Sequence, residues 1–250
     1  MAFTKASKWV RGMTVSNYTP DFYRQCPIFR GLTEEELWNI AEISNEKHFD
    51  KGEFIFREGD PRTEVYFIVS GLIKIFRISE NGEEQIINIL HSNEMFPHAG
   101  FFEDEPYPAT AETLTPVTVL GVPIERFEEL LIQRPGTSVK VMREIGKKLI
   151  EIQERLRSIQ TQDVTQRIIA TLVQFAYELG EREEGKTVVH LHLPVTNSEI
   201  ASLIGVSRET VNRVFNKLKK QGLITYNRQE MTINCIEGLK SQMVYIRNKK

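Results

Sequence analysis

The sequence predicts an α+β protein in three connected parts: an N-terminal jelly-roll β domain, one long amphipathic helix, and a C-terminal winged helix-turn-helix. Three observations carry this. Between Lys47 and Val122 five short β-rich runs are separated by glycine-bearing turns. Between Gly136 and Gln160 apolar residues recur at alternating intervals of three and four. From Thr196 to Gly222 two capped helical stretches flank Gly205, and a short hairpin pattern follows. The divisions fall at residues 1–20 (an extension), 21–135 (the β domain), 136–162 (the long helix) and 163–250 (the C-terminal domain).

Residues 1–20 show no sustained period and read as a flexible extension, with Trp9 and Tyr18 as the side chains able to dock on the body. Thr33 and Glu36 form a capping box, opening a helix whose Leu37, Ile40, Ala41 and Ile43 face inward. The runs FIF, VYFIV, LIKIFRI, QIINIL and TVLGV then follow, many short strands for a stretch of about 75 residues, as a sandwich or barrel requires. Asn81-Gly82 between two of them predicts a hairpin with a primed turn, since both residues accept positive φ.

After Pro123, IERFEELLIQ reads as a short helix ending near Arg134-Pro135. Along the long helix Met142, Ile145, Leu149, Ile152, Leu156 and Ile159 form a heptad seam. Arg143, Glu144, Lys147, Lys148, Glu151, Glu154, Arg155 and Arg157 narrow that seam to a stripe suited to a second copy of the chain, a homodimer. Asp163 with Gln166 is another capping box and marks the domain boundary at residues 161–163. The charged loop GEREEGKT reads as solvated.

Thr196 and Glu199 cap the first helix of the C-terminal pair, and Ser207 caps the second. Val211, Val214, Phe215 and Leu218 turn inward, leaving Arg208, Glu209, Asn212 and Arg213 outward, with Lys217, Lys219 and Lys220 beyond them. Arginine can donate two hydrogen bonds to guanine and glutamate can accept one from cytosine, so this is a set suited to reading base edges, with the lysines suited to phosphates. LITY and MTIN, around Asn227 and Arg228, complete the wing. The predicted interface with double-stranded DNA is Thr196, Ser207, Arg208, Glu209, Asn212, Arg213 and Lys217.

Composition agrees. The 250 residues are 40% hydrophobic and 26% charged, enough for two cores. Net charge is −2, yet residues 1–160 hold 19 Lys and Arg against 25 Asp and Glu, while residues 161–250 hold 13 against 9. The basic share lies with the helix-turn-helix, where phosphate neutralisation needs it. No apolar run reaches the roughly 18 residues of a membrane span, and the start lacks a signal peptide's apolar core, so the expectation is a cytoplasmic protein. Cys26 and Cys235 supply neither a disulfide framework nor a metal cluster.

The stretch KGEFIFREGDPRTEVYFIVSGLIKIFRISENGEEQIINIL, together with the C-terminal motif, resembles the Crp/Fnr superfamily of bacterial transcription regulators over about residues 25–235. The resemblance implies a cyclic-nucleotide-binding-like β-roll, a dimer through the long helix, contact with RNA polymerase, and no enzymatic activity. Family activators that recognise TGTGA half-sites carry a helix like Arg208-Glu209-Thr210-Val211-Asn212-Arg213. It therefore implies a palindrome close to TGTGA-N6-TCACA, with Arg208 and Arg213 on guanines and Glu209 on a cytosine.

The sensor departs from the family pattern. In cyclic AMP-binding members a Gly-Glu pair holds the ribose and an Arg-Ser pair the phosphate; here Pro97-His98 and Tyr107-Pro108 stand in those places, and no arginine lies between Arg77 and Arg126. Cyclic AMP is disfavoured, because a buried phosphate needs a cation or a nest of amides. Two cysteines exclude an iron-sulfur cluster. The candidate effector pocket is Phe96, His98, Phe101 and Tyr107 with Ile152 and Gln153 from the long helix, and it contains no metal set. A packed core with no ligand, an aromatic or acidic small-molecule effector, and haem on His98 all stay open. His190-x-His192 has metal-like spacing but reads as an exposed edge strand. Two other functions compete: an effector-independent, constitutive DNA binder with a filled roll, and a cupin-like metalloenzyme, whose ligand set His48, His91 and His98 do not match.

Overall fold

A computed structural model of the chain describes residues 20–29, 32–98, 105–182, 188–192, 194–227 and 230–247. The extension with Trp9 and Tyr18, Phe101, Arg228 and most of the GEREEGKT loop lie outside these residues, as does the Ile159 side chain.

The chain opens with α1 (Pro20–Gln25), a 3-10 turn (Pro27–Phe29) and α2 (Glu34–Ile43). The Thr33 side chain accepts from the Glu36 amide at 3.3 Å, and the Glu36 carboxylate accepts from the Thr33 amide at 2.8 Å, so the capping box is formed. Leu37, Ile40 and Ala41 are buried as their spacing predicts, and Ile43 packs half-buried beside them.

Eight strands follow: β1 (Asn45–Phe49), β2 (Phe54–Phe56), β3 (Glu64–Ser70), β4 (Ile73–Ile78), β5 (Glu84–Leu90), β6 (Met95–Phe96), β7 (Thr110–Thr113) and β8 (Val117–Pro123). They form two antiparallel sheets, in the orders β1-β8-β3-β6 and β2-β7-β4-β5. The continuous apolar run of β3 is explained by burial on both faces. Tyr66 and Ile68 point between the sheets, whereas Val65 and Phe67 point outward into a second core made by α1, α2 and α3 (Ile124–Gln133).

The β4–β5 hairpin forms, but its turn is not the primed one. Gly82 has φ of 78° while Asn81 does not enter the positive region, and the Gly82 amide donates to the Ser79 carbonyl at 2.9 Å. The loop spans Ser79 to Glu83, and only its last turning residue needs glycine.

The long helix α4 (Pro135–Thr161) has 27 residues and so spans about 40 Å. It starts at Pro135, a favourable first helical residue because its missing amide has no partner to lose. Val141 is buried and Ile145 partly so against the sensor core, so Ile145 does not belong purely to the seam. Met142, Leu149, Ile152 and Leu156 are each more than half exposed.

The C-terminal domain contains α5 (Val164–Glu178), β9 (Glu181–Arg182), β10 (Val189–Leu191), α6 (Asn197–Ile204), α7 (Arg208–Lys220), β11 (Ile224–Tyr226), β12 (Met231–Ile233) and α8 (Ile236–Arg247). Asp163 and Gln166 form the capping box that opens α5. The sheet order is β11-β12-β10-β9. Hence β10 is paired on both sides and is no edge strand, which corrects the reading of His190-x-His192. His190 is half-buried on β10, its Nδ1 3.4 Å from the Thr232 hydroxyl, while exposed His192 lies 3.6 Å from Glu230. No group of three metal-ligating side chains is assembled among the described residues.

The two domains meet where α6 lies on the open edge of β5. The Ser202 hydroxyl accepts from the Ile86 amide at 2.9 Å and donates to the Glu84 carbonyl at 2.7 Å. Arg155 of α4 donates to the Ile87 and Leu203 carbonyls, joining β5 to α6. Beneath them Lys74, its side chain 5% exposed, lies 2.7 Å from Glu84, 3.0 Å from Glu112 and 3.8 Å from Glu199. Leu72, Phe76, Ile86 and Ile89 accordingly belong to the same apolar cluster as the reader domain.

Candidate nucleic-acid interface

Thr196 begins the motif. Its hydroxyl accepts from the Glu199 amide at 3.2 Å while the Glu199 carboxylate accepts from the Thr196 amide at 2.7 Å. Ile200, Ala201, Leu203 and Ile204 are buried. Gly205 stops α6 in the left-handed region, φ 73°, with its amide 2.9 Å from the Ala201 carbonyl. The Val206 amide donates to the same carbonyl at 3.0 Å, which turns the chain tightly enough for α7 to cross α6. Ser207 then caps α7, its hydroxyl accepting from the Thr210 amide at 3.3 Å.

Val211, Val214, Phe215 and Leu218 bury one face of α7. Arg208, Glu209, Arg213, Asn216, Lys217, Lys219 and Lys220 are exposed, and Asn212 is half-buried on the flank facing α6. Glu209, Arg213 and Asn216 follow at intervals of four and three, so they share the outward face. Hydrogen bonds to its own backbone amide and to the Ser207 side chain, with a smaller contribution from Arg208, hold the Glu209 carboxyl below its usual range. It stands as an ionised acceptor, the state that a cytosine amino group requires. Lys217, Lys219 and Lys220 occupy the last turn, where they complement the helix dipole.

Of the predicted DNA-contacting set, Arg208, Glu209, Arg213 and Lys217 point to solvent, while Thr196 and Ser207 hold the two helix starts. Two features escaped the sequence reading. The Tyr226 hydroxyl of the wing donates to Asn216 at 3.2 Å and its ring packs edge-on to Phe215 at 5.3 Å, bracing wing to helix. Asn197 donates to Asn212 at 2.5 Å. Its place at the first position of α6, beside the crossing helix, was the one signal available.

The candidate effector pocket is not assembled. Phe96 and Tyr107, 1% and 3% exposed, lie in the core between the sheets. Tyr107 stacks on Phe56 at 3.8 Å and 5°, and Phe96 packs on Tyr66 at 5.2 Å, closing the space that a ligand would need there. The Tyr107 hydroxyl donates to the Glu64 carbonyl at 3.0 Å, and the Tyr66 hydroxyl donates to the Glu64 carboxylate at 2.8 Å. Ile152 and Gln153 are exposed on α4 and do not face the roll. Lys148 does: it lies 3.0 Å from Glu94 and 3.0 Å from Glu151. His98 is half-buried near this cluster, and burial first, then Lys148, holds its imidazole below the ordinary histidine range. Both cysteines are free thiols; burial pushes Cys26 up to about 12.

A two-sheet roll, a long helix with an exposed apolar stripe, and a winged helix-turn-helix with a polar and basic outer face define a DNA-binding transcription regulator. The family models agree: a cyclic nucleotide-binding domain matches residues 46–134, and a Crp-like helix-turn-helix domain matches residues 166–242. The chain belongs to the Crp/Fnr family of transcription regulators, which are not enzymes. It is 32% identical over 203 residues to the transcriptional activator protein anr of Pseudomonas aeruginosa, covering 81% of this chain and 82% of that one. To the CRP-like cAMP-activated global transcriptional regulator of Mycobacterium tuberculosis it is 29% identical over 212 residues, covering 85% and 94%. The fold is shared with FixK2 of Bradyrhizobium japonicum at a TM-score of 0.70 and 19% identity, covering 80% of this chain and 96% of that one. Among the described residues no helix is long and apolar enough to cross a membrane.

Proposed function

We propose that the chain acts in the cytoplasm as a homodimer that reads a palindrome close to TGTGA-N6-TCACA. The observation that carries this reading is the outward face of α7, where Arg208, Glu209 and Arg213 stand exposed on a helix rigidly set by two caps and a left-handed glycine. Two arginines suit the guanines of TGTGA and an ionised glutamate suits a cytosine opposite. The stripe Met142, Leu149, Ile152 and Leu156 supports pairing of two α4 helices, because intervals of seven, three and four keep one edge facing a partner. Two-fold symmetry then sets two α7 helices about one helical turn of DNA apart. The relatives named as activators support an activating role through RNA polymerase.

A second reading concerns control. The stacking of Tyr107 on Phe56 and of Phe96 on Tyr66 favours a regulator whose roll is filled, binding DNA without a small-molecule effector, over one gated by a cyclic nucleotide or by haem.

Purified, ligand-free protein titrated into a labelled TGTGA-N6-TCACA duplex at about 0.15 M salt tests both readings, since salt sets the phosphate contribution. Tight binding with rejection of a scrambled duplex is the expected result. Equal binding to both duplexes refutes the assigned half-site. Selective binding that appears only after a cyclic nucleotide is added refutes the filled roll.

A further inference from the structure

We propose that Asn197 fixes Asn212 as a hydrogen-bond donor toward the major groove, so that one position of each half-site is read as keto base against amino base. The inference rests on α7 being the DNA-reading helix. Asn197 is the first residue of α6, and Asn212 lies on the second turn of α7, one residue before Arg213 and three after Glu209. The Asn197 Nδ2 donates to the Asn212 Oδ1 at 2.5 Å, across the crossing of the two helices. With its oxygen engaged, the Asn212 amide keeps only N–H groups to offer. Thymine and guanine present a keto oxygen at the major-groove edge where adenine and cytosine present an amino group. A donor-only amide pairs with the first two and meets a competing donor on the others. The bidentate contact with adenine, which an unrestrained asparagine makes with both ends of its amide, is closed to it.

Asn197 is thus a positioning residue, and reversing its polarity should reverse the reading. Aspartate at this place accepts but does not donate, so Asn212 must turn its Nδ2 inward and present Oδ1 to the groove. Aspartate also suits the first turn of a helix, so α6 keeps its start.

The test is selection of bound duplexes from a pool randomised across the half-site, using the full-length chain, Asn212→Ala and Asn197→Asp, with thermal melts to verify folding. The unaltered protein should favour guanine or thymine over adenine or cytosine at one position by about threefold to tenfold, the range of a single net hydrogen bond. Asn212→Ala should level that position. Asn197→Asp should invert it to adenine or cytosine, leaving the positions read by Arg208, Glu209 and Arg213 as they were. A keto preference that survives Asn197→Asp overturns the proposal, as does an even loss of affinity across all sequences in Asn212→Ala, which marks a phosphate contact. Failure of the unaltered chain to enrich any sequence overturns the DNA-reading assignment itself, and is distinguishable because every position is then flat.

Discussion

The sensor and the reader use their charges in opposite ways. In the roll, Lys47 is bonded to Glu64, Lys74 to Glu84 and Glu112, and Lys148 to Glu94, so cations of the acidic domain are spent on its own carboxylates. On α7, Arg208, Arg213 and Lys217 make no ion pair among the described residues and stand in water. Charge that is paired inside holds a fold, whereas charge left facing outward is available to an external polyanion. Net charge alone would not have separated these two uses.

Removing one cation from each domain breaks the comparison most directly. Lys74→Met leaves Glu84, Glu112 and Glu199 without their shared partner and should destabilise the protein by about 3 kcal/mol in chemical denaturation, the range for one member of a buried pair. Lys217→Met should leave stability within about 0.5 kcal/mol, and should reduce by about one the slope of DNA affinity against salt. Arg208→Ala should cost roughly 1 to 3 kcal/mol of discrimination at one base pair, read by competition with single-base variants, with unfolding little changed. Ser207→Ala removes the cap of α7 and should lower stability by about 1 kcal/mol while affecting every half-site position alike.

The smallest effect is in pH. His98 is held below its unfolded value of 6.5, chiefly by burial and then by Lys148, against the opposing pull of Glu94 and Glu151. The folded chain therefore binds this proton less readily than the unfolded chain does. Stability attributable to His98 should be intact above that value and decline as pH falls below it, and His98→Gln should flatten that slope in melts taken across the range.

How much of this the chain disclosed depends on the range of the interactions. The helix-turn-helix was legible because every signal in it is local: Thr196 and Glu199 are three residues apart, and Gly205 needs only its own φ. β3 was legible because burial on both faces made VYFIV apolar throughout. β1, with the sequence NEKHF, is half-exposed and offers no alternation, and β7, TAET, is small and polar, so neither declared itself. α8 was missed because its buried Ile236 and Leu239 give too short a period to read. The pocket failed for a different reason. Nothing near Tyr107 indicates that Phe56, some fifty residues earlier, covers its ring. Likewise the bond from Asn197 to Asn212 depends on how two helices cross, which spacing along either helix does not reveal.

The hydroxyl of Ser202 on the edge of β5 has a further meaning. A strand with unpaired amides and carbonyls is a template on which another strand can dock, and here the DNA-reading domain itself serves as the cover for that edge. Any swing of α6 away from the roll uncovers the Ile86 amide and the Glu84 carbonyl together. The fraction of molecules in a swung-out geometry is therefore also the fraction open to strand-to-strand association, which links the domain's freedom to move with the colloidal behaviour of the protein at high concentration.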